Sequence, residues 1–166
     1  MTCMSVVRVL RHLIATGWSL RRVFDAATLQ VIEEAIATGE RAHGGEIRVA
    51  LESHLDALEL MRGVTPRERA LQAFAQLGVW DTAANNGVLI YVLWADRDVE
   101  IVADRGYNEC VAVQEWSEIC HRMEALFANG DARGALVQGI EAAGALISRH
   151  YPRADGNELP NRPVLL

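Results

Sequence analysis

The sequence predicts an α/β domain with a mixed β-sheet, and three observations carry this prediction. Residues 88–94 form an apolar run rich in β-branched and aromatic residues after the turn-forming residues 85–87, as is typical of a strand buried on both faces. Residues 99–104 alternate between two faces after a short polar turn, which predicts an antiparallel partner strand. A strand, a helix and a strand over residues 46–94 predict a parallel βαβ unit, so the sheet is mixed.

Residues 1–24 predict a basic helical arm. Val7, Leu10 and Ile14 recur at helical spacing, and Gly17 is expected to end this helix. The arm contains four Arg residues and no acidic residue. A short basic amphipathic helix of this kind either packs on its own domain or lies on an anionic membrane surface.

The domain proper is predicted to span residues 25–150, and it begins with a capped helix. Asp25 is a favourable N-cap, and Phe24 occupies the position of a hydrophobic staple residue. Apolar residues continue at helical spacing, and the helix is expected to end at residues 43–45. The alternating pattern of residues 46–52 then predicts the first strand of the sheet.

The strongest local signal is the start of the next helix, after a polar loop. Thr65 at the N-cap, Pro66 at N1 and Glu68 at N3 form a capping box with a favoured first residue. We expect this helix to end at Gly78 and to direct three apolar side chains inward. Those side chains are Leu71, Phe74 and Leu77.

Two further helices complete the predicted domain. The first is expected to end at residues 129–130, and the second to begin after the N-cap Asp131 and to end near His150. Their expected inward residues are Trp116, Ile119, Met123 and Leu126, and then Leu136, Ile140, Ala143 and Ile147. Residues 151–166 form an extended polar tail with no helical or strand period. Its apolar end, residues 164–166, is expected to dock on the domain or on a partner.

The composition limits the classes of function. The 166 residues include 16 basic residues, all of them Arg, and 22 acidic residues. Because the chain past the arm is strongly acidic, we expect no nucleic-acid binding. Cys3, Cys110 and Cys120 show no metal-binding spacing, which favours reduced thiols and a cytoplasmic protein. No apolar run has the length of a membrane span, and we recognise no signal peptide.

Three groups of polar residues are predicted to meet at one edge of the sheet. Glu46 begins the first strand, residues 85–87 lead into the second, and residues 104–106 end the third. The start of a strand lies beside the start of a parallel neighbour and the end of an antiparallel neighbour, so these groups converge. Trp80 and Asp81, in the preceding loop, are close enough to reach the same edge.

This edge gathers carboxylate and amide oxygens, which are ligands that Ca²⁺ and Mg²⁺ prefer. The predicted metal ligands are Glu46, Asp81, Asn85, Asn86 and Asp104. Ca²⁺ is favoured over Mg²⁺ because it tolerates irregular oxygen cages. Without a metal, the carboxylates would repel one another unless Arg105 neutralises them. In the alternative interpretation, residues 85–87 are only turn residues, and Asp104 and Arg105 form an exposed ion pair.

An ordered set of motifs resembles the TPM domain family, which includes a thylakoid-lumen acid phosphatase and photosystem II repair proteins. The motifs are Gly45-Glu46-Ile47-Arg48-Val49, Leu77-Gly78-Val79-Trp80-Asp81, Asn85-Asn86-Gly87-Val88-Leu89-Ile90 and Asp104-Arg105-Gly106. The resemblance covers residues 25–150. It implies a three-layer α/β/α sandwich with helices on both faces of a small mixed sheet, and a Ca²⁺ site where Glu46, Asp81, Asn86 and Asp104 converge.

This chain differs from many members of the family. We recognise neither their signal peptide nor their C-terminal membrane segment in it, and residues 104–106 replace a commoner glycine-rich turn. Some relatives are described as phosphatases, and others as assembly or repair factors. The resemblance therefore leaves the activity of this chain open.

Three functional hypotheses follow. The first is a TPM-type domain that binds a divalent cation and serves as an interaction or assembly module for a protein partner. The second is a weak metal-assisted acid phosphatase, in which Arg105 holds the phosphate and Asp81 or Asp104 orients water or attacks. Trp80 and Arg105 are the predicted binding residues in addition to the metal ligands. The third is weak peripheral membrane contact through residues 1–22.

Overall fold

The structure, a computed structural model, describes residues 6–153 and 156–166, so the thiol predicted at Cys3 lies outside the described residues. The described residues form seven α-helices and four β-strands. In chain order these elements are α1 (Val6–Ile14), α2 (Gly17–Val23), α3 (Ala26–Glu40), β1 (Glu46–Glu52), α4 (Ala57–Met61), α5 (Pro66–Gln76), β2 (Gly87–Leu93), β3 (Asp98–Ala103), α6 (Val113–Ala128), α7 (Ala132–His150) and β4 (Val164–Leu165).

The four strands form one mixed sheet in the order β3-β2-β1-β4. β1 runs parallel to β2, with Glu46 opposite Gly87, and β2 runs antiparallel to β3, with Val88 opposite Ala103. The predicted parallel pair and the predicted hairpin are therefore confirmed. β2 is buried along its whole length, whereas β3 is partly exposed, as their sequence patterns indicate.

Helices cover both faces of the sheet, so the predicted three-layer α/β/α architecture is confirmed. On one face, α3, α6 and α7 pack against alternate strand residues such as Ile47 and Ile90 in a large first core. On the other face, α4 and α5 pack against the remaining strand residues, such as Ala50 and Tyr91, in a smaller second core. This division follows from the two-residue period of a strand.

The three predicted N-caps of the domain are confirmed. Asp25, Thr65 and Asp131 each accept a hydrogen bond from the backbone N–H three residues later, at 2.8, 3.2 and 2.8 Å. These bonds satisfy N–H groups that a helix leaves without an internal partner. The starts of α3, α5 and α7 are thus determined by local chemistry that can be read in the sequence.

The arm differs from its prediction at Gly17. That residue does not end a helix but begins α2, because Thr16 is the N-cap and accepts the N–H of Ser19 at 3.2 Å. α2 attaches to the first core through Leu20 and Phe24, which are both buried. Within the described ranges, no helix combines the length and the apolar character that crossing a bilayer requires.

The segment between β1 and the end of α5 differs from its prediction in two places. The expected polar loop contains α4, whose N-cap Asp56 completes a capping box with Glu59. Leu71 was expected to point inward but is 48% exposed. The fully buried positions of α5 are instead Ala70 and Ala73, while Phe74 and Leu77 pack against the same core and stay partly exposed.

The tail contains a strand that its sequence pattern does not reveal. β4 pairs parallel with β1, and Leu159 is buried in the second core. The guanidinium of Arg48 donates to the backbone carbonyls of Pro160 and Arg162, the latter at 3.1 Å. Residues 156–166 therefore dock on the domain itself. A strand of two residues is too short for its alternation to be recognised.

Candidate functional site

The three polar strand ends meet at one edge of the sheet, and we call this region the strand-end site. The N–H of Glu46 donates to the carbonyl of Asn86 at 3.2 Å. The N–H of Asp104 donates to the carbonyl of Gly87 at 2.9 Å, and the N–H of Gly106 donates to that of Asn85 at 3.0 Å. Backbone pairing therefore brings together the three groups that the sequence places at this edge.

Close backbone packing explains the glycines of the site. A side chain at Gly87 would collide with the backbone carbonyl of Val79, which comes from the loop after α5. A side chain at Gly106 would collide with the carbonyl of Asn85 and the hydroxyl of Tyr151. These glycines permit the loop, β2 and the turn after β3 to approach one another.

Two buried side-chain oxygens of the site, one from Asn86 and one from Asp104, have no hydrogen-bond partner among the residues that the structure describes. The side-chain amide of Asn86 donates to the carbonyl of Gly44, which leaves its Oδ1 without a donor. Oδ1 of Asp104 accepts the N–H of Arg105 at 2.7 Å, which leaves Oδ2 without one. A buried oxygen without a donor is costly, so a native structure usually supplies a partner.

Arg105 follows Asp104 in the chain, and its side chain is held by Asn85. Its Nε donates to Oδ1 of Asn85 at 2.7 Å, and the Arg105 side chain is exposed. Asn85 adopts a left-handed backbone conformation, with φ of 52°, which asparagine tolerates better than most residues. The arrangement fixes an exposed guanidinium on the turn that begins with Asp104, and among the described residues this carboxylate accepts only the backbone N–H of Arg105.

The carboxylate of Glu46 is bound by the C-terminal tail, since its Oε2 accepts the N–H of Leu159 at 3.0 Å. Glu40, at the end of α3, lies close by and accepts the N–H of Ile47 at 3.1 Å and the amide of Asn161 at 2.8 Å. Burial raises the pKa of Glu40 to about 7, helped by the nearby charge of Glu46. Sequence analysis missed Glu40 because only the fold brings α3, β1 and the tail together.

The last two predicted site residues flank the strand-end site on its exposed side. The side chains of Trp80 and Asp81 are both exposed, and the indole N–H of Trp80 donates to the carbonyl of Ala75 at 3.3 Å. Both residues follow Val79, which packs on Gly87. Both residues therefore lie in the loop that leads to the edge of the sheet, with their side chains in solvent.

The side-chain oxygens of the strand-end site suit a hard cation that is coordinated by more than one type of oxygen ligand. Among the described residues, no group of three or more His, Cys, Asp or Glu side chains is arranged to hold a metal. Ca²⁺ also accepts amide, carbonyl and water oxygens, so one carboxylate of Asp104 and the amide oxygen of Asn86 suit it. A soft metal that requires thiolate or several imidazoles does not fit this set.

Two further polar clusters were missed by sequence analysis. At the opposite ends of β1 and β2, Glu52 accepts hydrogen bonds from Tyr91 and from Arg69, the latter at 2.8 Å. Between β3 and α6, Asp98 lines a groove of about 440 Å³, and burial raises the pKa of this carboxyl to about 6, helped by the charge of Glu100. The first cluster joins β1, α5 and β2, and the groove lies between β3 and α6. Because these elements are distant in sequence, residue spacing alone does not predict either cluster.

Comparisons with known proteins identify similar chains. The sequence profile of the TPM domain matches residues 20–146. The NMR structure of the BA42 protein from the psychrophilic bacterium Bizionia argentinensis is 32% identical with a TM-score of 0.74, over 85% of this chain and 94% of that one. The N-terminal domain of a protein from P. gingivalis is 20% identical with a TM-score of 0.62, over 81% and 82% of the two chains, and shares the fold. Among curated proteins, no significantly similar sequence was found.

Proposed function

Since the chain belongs to the TPM domain family, we propose that it binds a divalent cation at the strand-end site and uses this edge as an interaction or assembly surface for a protein partner. Ca²⁺ is the proposed ion, in preference to Mg²⁺, because the oxygens offered there differ in type and come from separate segments. The cation would supply a local positive charge and link the ends of β2 and β3.

One observation carries the cation proposal: Asp104 Oδ2 and Asn86 Oδ1 are buried at adjoining strand ends, and neither has a hydrogen-bond partner among the described residues. A cation would coordinate both oxygens, whereas a turn without a cation leaves each of them buried without a partner. Asn85 and Asp81 are the further proposed ligands. Glu46 is the remaining one, although the tail already donates a hydrogen bond to it.

A thermal-shift titration with Ca²⁺ and Mg²⁺ tests the cation proposal. Binding to the folded state raises the melting temperature by mass action, and Ca²⁺ at about a hundred times its Kd should raise it by roughly 5–10 °C. Asp104→Asn keeps the size of the side chain but removes its charge, so the variant should lose most of the shift. Mg²⁺ should give a smaller shift in the wild type.

Asp98→Asn is the matched control, because Asp98 lies at the other end of β3 and also has a buried oxygen without a partner among the described residues. This variant should keep the full Ca²⁺ shift. Equal losses in the two variants would mean that Ca²⁺ acts through general charge screening. No shift at all in the wild type would reject the cation proposal.

The exposed Trp80 supports the interaction part of the proposal. Its side chain is 54% exposed beside the strand-end site, although a tryptophan ring gains much from burial. Tryptophan is also frequent among residues that dominate binding energy in protein interfaces. A protein partner that covers this ring would lie against the proposed cation and could respond to it.

Affinity capture from a membrane-free extract, with Ca²⁺ or with a chelator, tests this part. The same partner should be retained in Ca²⁺, released by the chelator and lost with Trp80→Ala. Trp18→Ala is the control, since Trp18 is 72% exposed on α2, outside the strand-end site. Capture that both variants retain would reject an interface at Trp80.

Weak hydrolysis of phosphate monoesters is the second candidate function, and the exposed guanidinium of Arg105, held by Asn85 at the strand-end site, favours it. Arg105 would bind the phosphate, and Asp81 or Asp104 would orient the attacking water or attack directly. In the water route, water forms a P–O bond, the ester P–O bond breaks and the alcohol leaves with the proton that water releases. In the direct route, a carboxylate oxygen forms the P–O bond as the alcohol leaves, and water then hydrolyses the aspartyl phosphate to phosphate and the free carboxylate. A bound cation would polarise a phosphoryl oxygen.

Turnover of a generic aryl phosphate distinguishes the two functions. An enzyme should lose at least about tenfold in activity with Arg105→Gln, because a charged donor to the phosphate is removed. Arg97→Gln, at another exposed arginine in the β2–β3 turn, should leave turnover unchanged. Background turnover in a wild type that still shows the Ca²⁺ shift would leave the interaction module as the function.

We also propose that the chain acts in the cytoplasm. Cys110 and Cys120 are free thiols in the structure, which suits a reducing compartment. Thiol titration of protein purified under non-reducing conditions should find these two cysteines reduced. A disulfide between chains at the exposed Cys110 would contradict this location.

A further inference from the structure

α1 is attached to the domain through its polar side chains. Arg8 Nε donates to Asp96 Oδ2 at 3.0 Å, in the turn between β2 and β3. His12 is buried, and its Nδ1 accepts the N–H of Leu55 at 3.0 Å. Its Nε2 lies 3.0 Å from Asp96 Oδ1 and therefore carries the proton that is donated to this oxygen. These directional contacts orient the helix.

The apolar side of α1 consequently faces away from the domain. At 100° per residue, five apolar residues lie opposite Arg8 and His12 on the helix surface. These residues are Val6, Val7, Leu10, Leu13 and Ile14, and they are 52–75% exposed. An amphipathic helix on a globular protein normally buries this side, so the exposed side indicates a binding surface.

The exposed apolar surface continues beyond α1. Trp18, on α2, is 72% exposed, and Met61, at the end of α4, is 75% exposed. Leu13 and Met61 line an open cavity of about 500 Å³ with mostly apolar walls. We call the apolar side of α1, Trp18 and the adjacent exposed arginines the arm surface.

The charge of the arm surface is entirely positive. Residues 6–24 contain no Asp or Glu. Arg11, Arg21 and Arg22 are exposed, and the guanidinium of Arg22 lies 5.5 Å from the centroid of the Trp18 ring. The rest of the chain is strongly acidic, since it holds all 22 acidic residues against 12 arginines. The arm surface thus combines exposed apolar residues with uniform positive charge.

We propose that the arm surface docks on an anionic lipid bilayer, with α1 lying in the plane of the interface. The apolar side of α1 would enter the boundary between headgroups and acyl chains, and the arginines would contact anionic headgroups. The ring of Trp18 is suited to the same boundary, because tryptophan side chains are enriched at the interface between a membrane and water. The acidic remainder of the chain would be repelled from the bilayer, so the domain would bind in one orientation, with its arm toward the lipid.

Charge favours a bilayer over a second copy of the chain as the occupant. A two-fold dimer through the arm surface would place identical patches face to face, so Arg11, Arg21 and Arg22 would oppose the same residues of the partner. Like charges that are brought together at an interface are unfavourable. An anionic bilayer instead offers opposite charge and an apolar layer to the same surface.

Co-sedimentation of the full chain with vesicles tests the proposal. The wild type should bind vesicles of phosphatidylcholine with phosphatidylglycerol more tightly than vesicles of phosphatidylcholine alone, and salt should weaken the binding. Leu13→Asp should reduce the affinity about tenfold or more by placing a charge in the apolar layer. Arg21→Glu with Arg22→Glu should reduce it similarly by reversing the local charge.

The controls make equivalent changes elsewhere. Val113→Asp alters an apolar side chain that is 77% exposed on α6, and Arg122→Glu with Arg153→Glu reverses two exposed charges outside the arm. Both controls should bind as the wild type does. Because all these side chains are exposed, unchanged melting temperatures should verify that each variant folds.

Three results would overturn the proposal. The first is no sedimentation with anionic vesicles under any salt condition. The second is equal binding to neutral vesicles, which would remove the role of the arginines. The third is a dimer in light scattering that Leu13→Asp disrupts without any effect on vesicle binding, which would assign the arm surface to a second copy of the chain.

Discussion

The N-terminal arm and the C-terminal tail attach to the same domain by different interactions. The tail binds through backbone pairing of β4 with β1 and through Leu159, whose side chain is buried in the second core. α1 binds through hydrogen bonds from Arg8 and His12 to Asp96, and its apolar side faces solvent. The tail thus completes the hydrophobic core, whereas α1 adds little to it and displays a surface.

This difference separates a structural role from a binding role. Burial of apolar side chains is the dominant favourable term in folding, so the tail should contribute strongly to global stability. Polar contacts contribute less in net terms but determine orientation, so those of α1 should govern where its apolar side points.

Leu159→Ala should destabilise the whole domain by about 3 kcal/mol, because it leaves a cavity in the second core under the tail. Urea denaturation should show a lower midpoint with an unchanged m-value. Leu166→Ala, at the more exposed end of the tail, is the control and should change the free energy of unfolding by less than about 0.5 kcal/mol. Equal effects of the two variants would mean that the tail contributes nothing specific through Leu159.

Asp96→Ala should weaken the docking of α1 by about 2 kcal/mol, since the buried His12 Nε2 loses its acceptor and Arg8 keeps, among the described residues, only the carbonyl of Val64. Hydrogen exchange should become faster across residues 6–14, with a small change in global stability. Asp131→Ala, which removes the N-cap of α7, should speed exchange at the start of α7 and leave α1 unchanged. Unchanged protection of α1 in Asp96→Ala would show that its orientation does not depend on these polar contacts.

Glu40 should make stability pH-dependent where α3 meets the tail. Burial raises its pKa from 4.5 to about 7, so between these pH values the folded protein keeps a proton that the unfolded chain has released. This stabilising contribution is complete below about pH 4.5 and is lost as the pH rises to about 7. Glu40→Gln should remove this component from urea midpoints measured across the range.

Solvent exposure limits the size of this pH effect, because Glu40 is only partly buried. Glu34→Gln, at an exposed position of the same helix, is the control and should keep the pH profile of the wild type. A Glu40→Gln profile that still follows the wild type between these pH values would assign the pH dependence to other groups.

Leu13→Ser should have the smallest effect on stability, within about 0.5 kcal/mol, because the side chain is already exposed. Leu20→Ala, in α2, should cost about 3 kcal/mol, since this leucine is buried in the first core. The two changes lie only seven residues apart, so they separate the exposed part of the arm from its anchored part. A large cost for Leu13→Ser would mean that the apolar side of α1 packs on the domain in solution.

Much of the fold could be predicted from the sequence, because local signals determine it. The N-caps Asp25, Thr65 and Asp131, the apolar run of β2 and the following hairpin all have short-range patterns. The meeting of the strand ends at Glu46, Asn86 and Asp104 follows from the directions of the strands. The shared edge was therefore predictable, although the contacts of each carboxylate were not.

Short elements and long-range contacts were not predicted correctly from the sequence. α4 has only five residues and β4 only two, so neither carries a clear periodic pattern. Leu71 fits the expected apolar stripe of α5, yet Ala70 and Ala73 are the positions of that helix that are fully buried. The hydrogen bond from Leu159 to Glu46 spans 113 residues of sequence and has no local signal.

The helix starts, the central strand, the hairpin and the amphipathic character of α1 depend on neighbouring residues and their spacing, so the amino-acid sequence predicts them. The side of α1 that faces the domain depends instead on long-range contacts that exist only in the folded chain. A hydrophobic pattern identifies the apolar side of a helix but not its partner, and the normal expectation is that this side is buried. Here the contacts of Arg8 and His12 with Asp96, more than 80 residues away, orient the helix the other way and leave its apolar side for another surface.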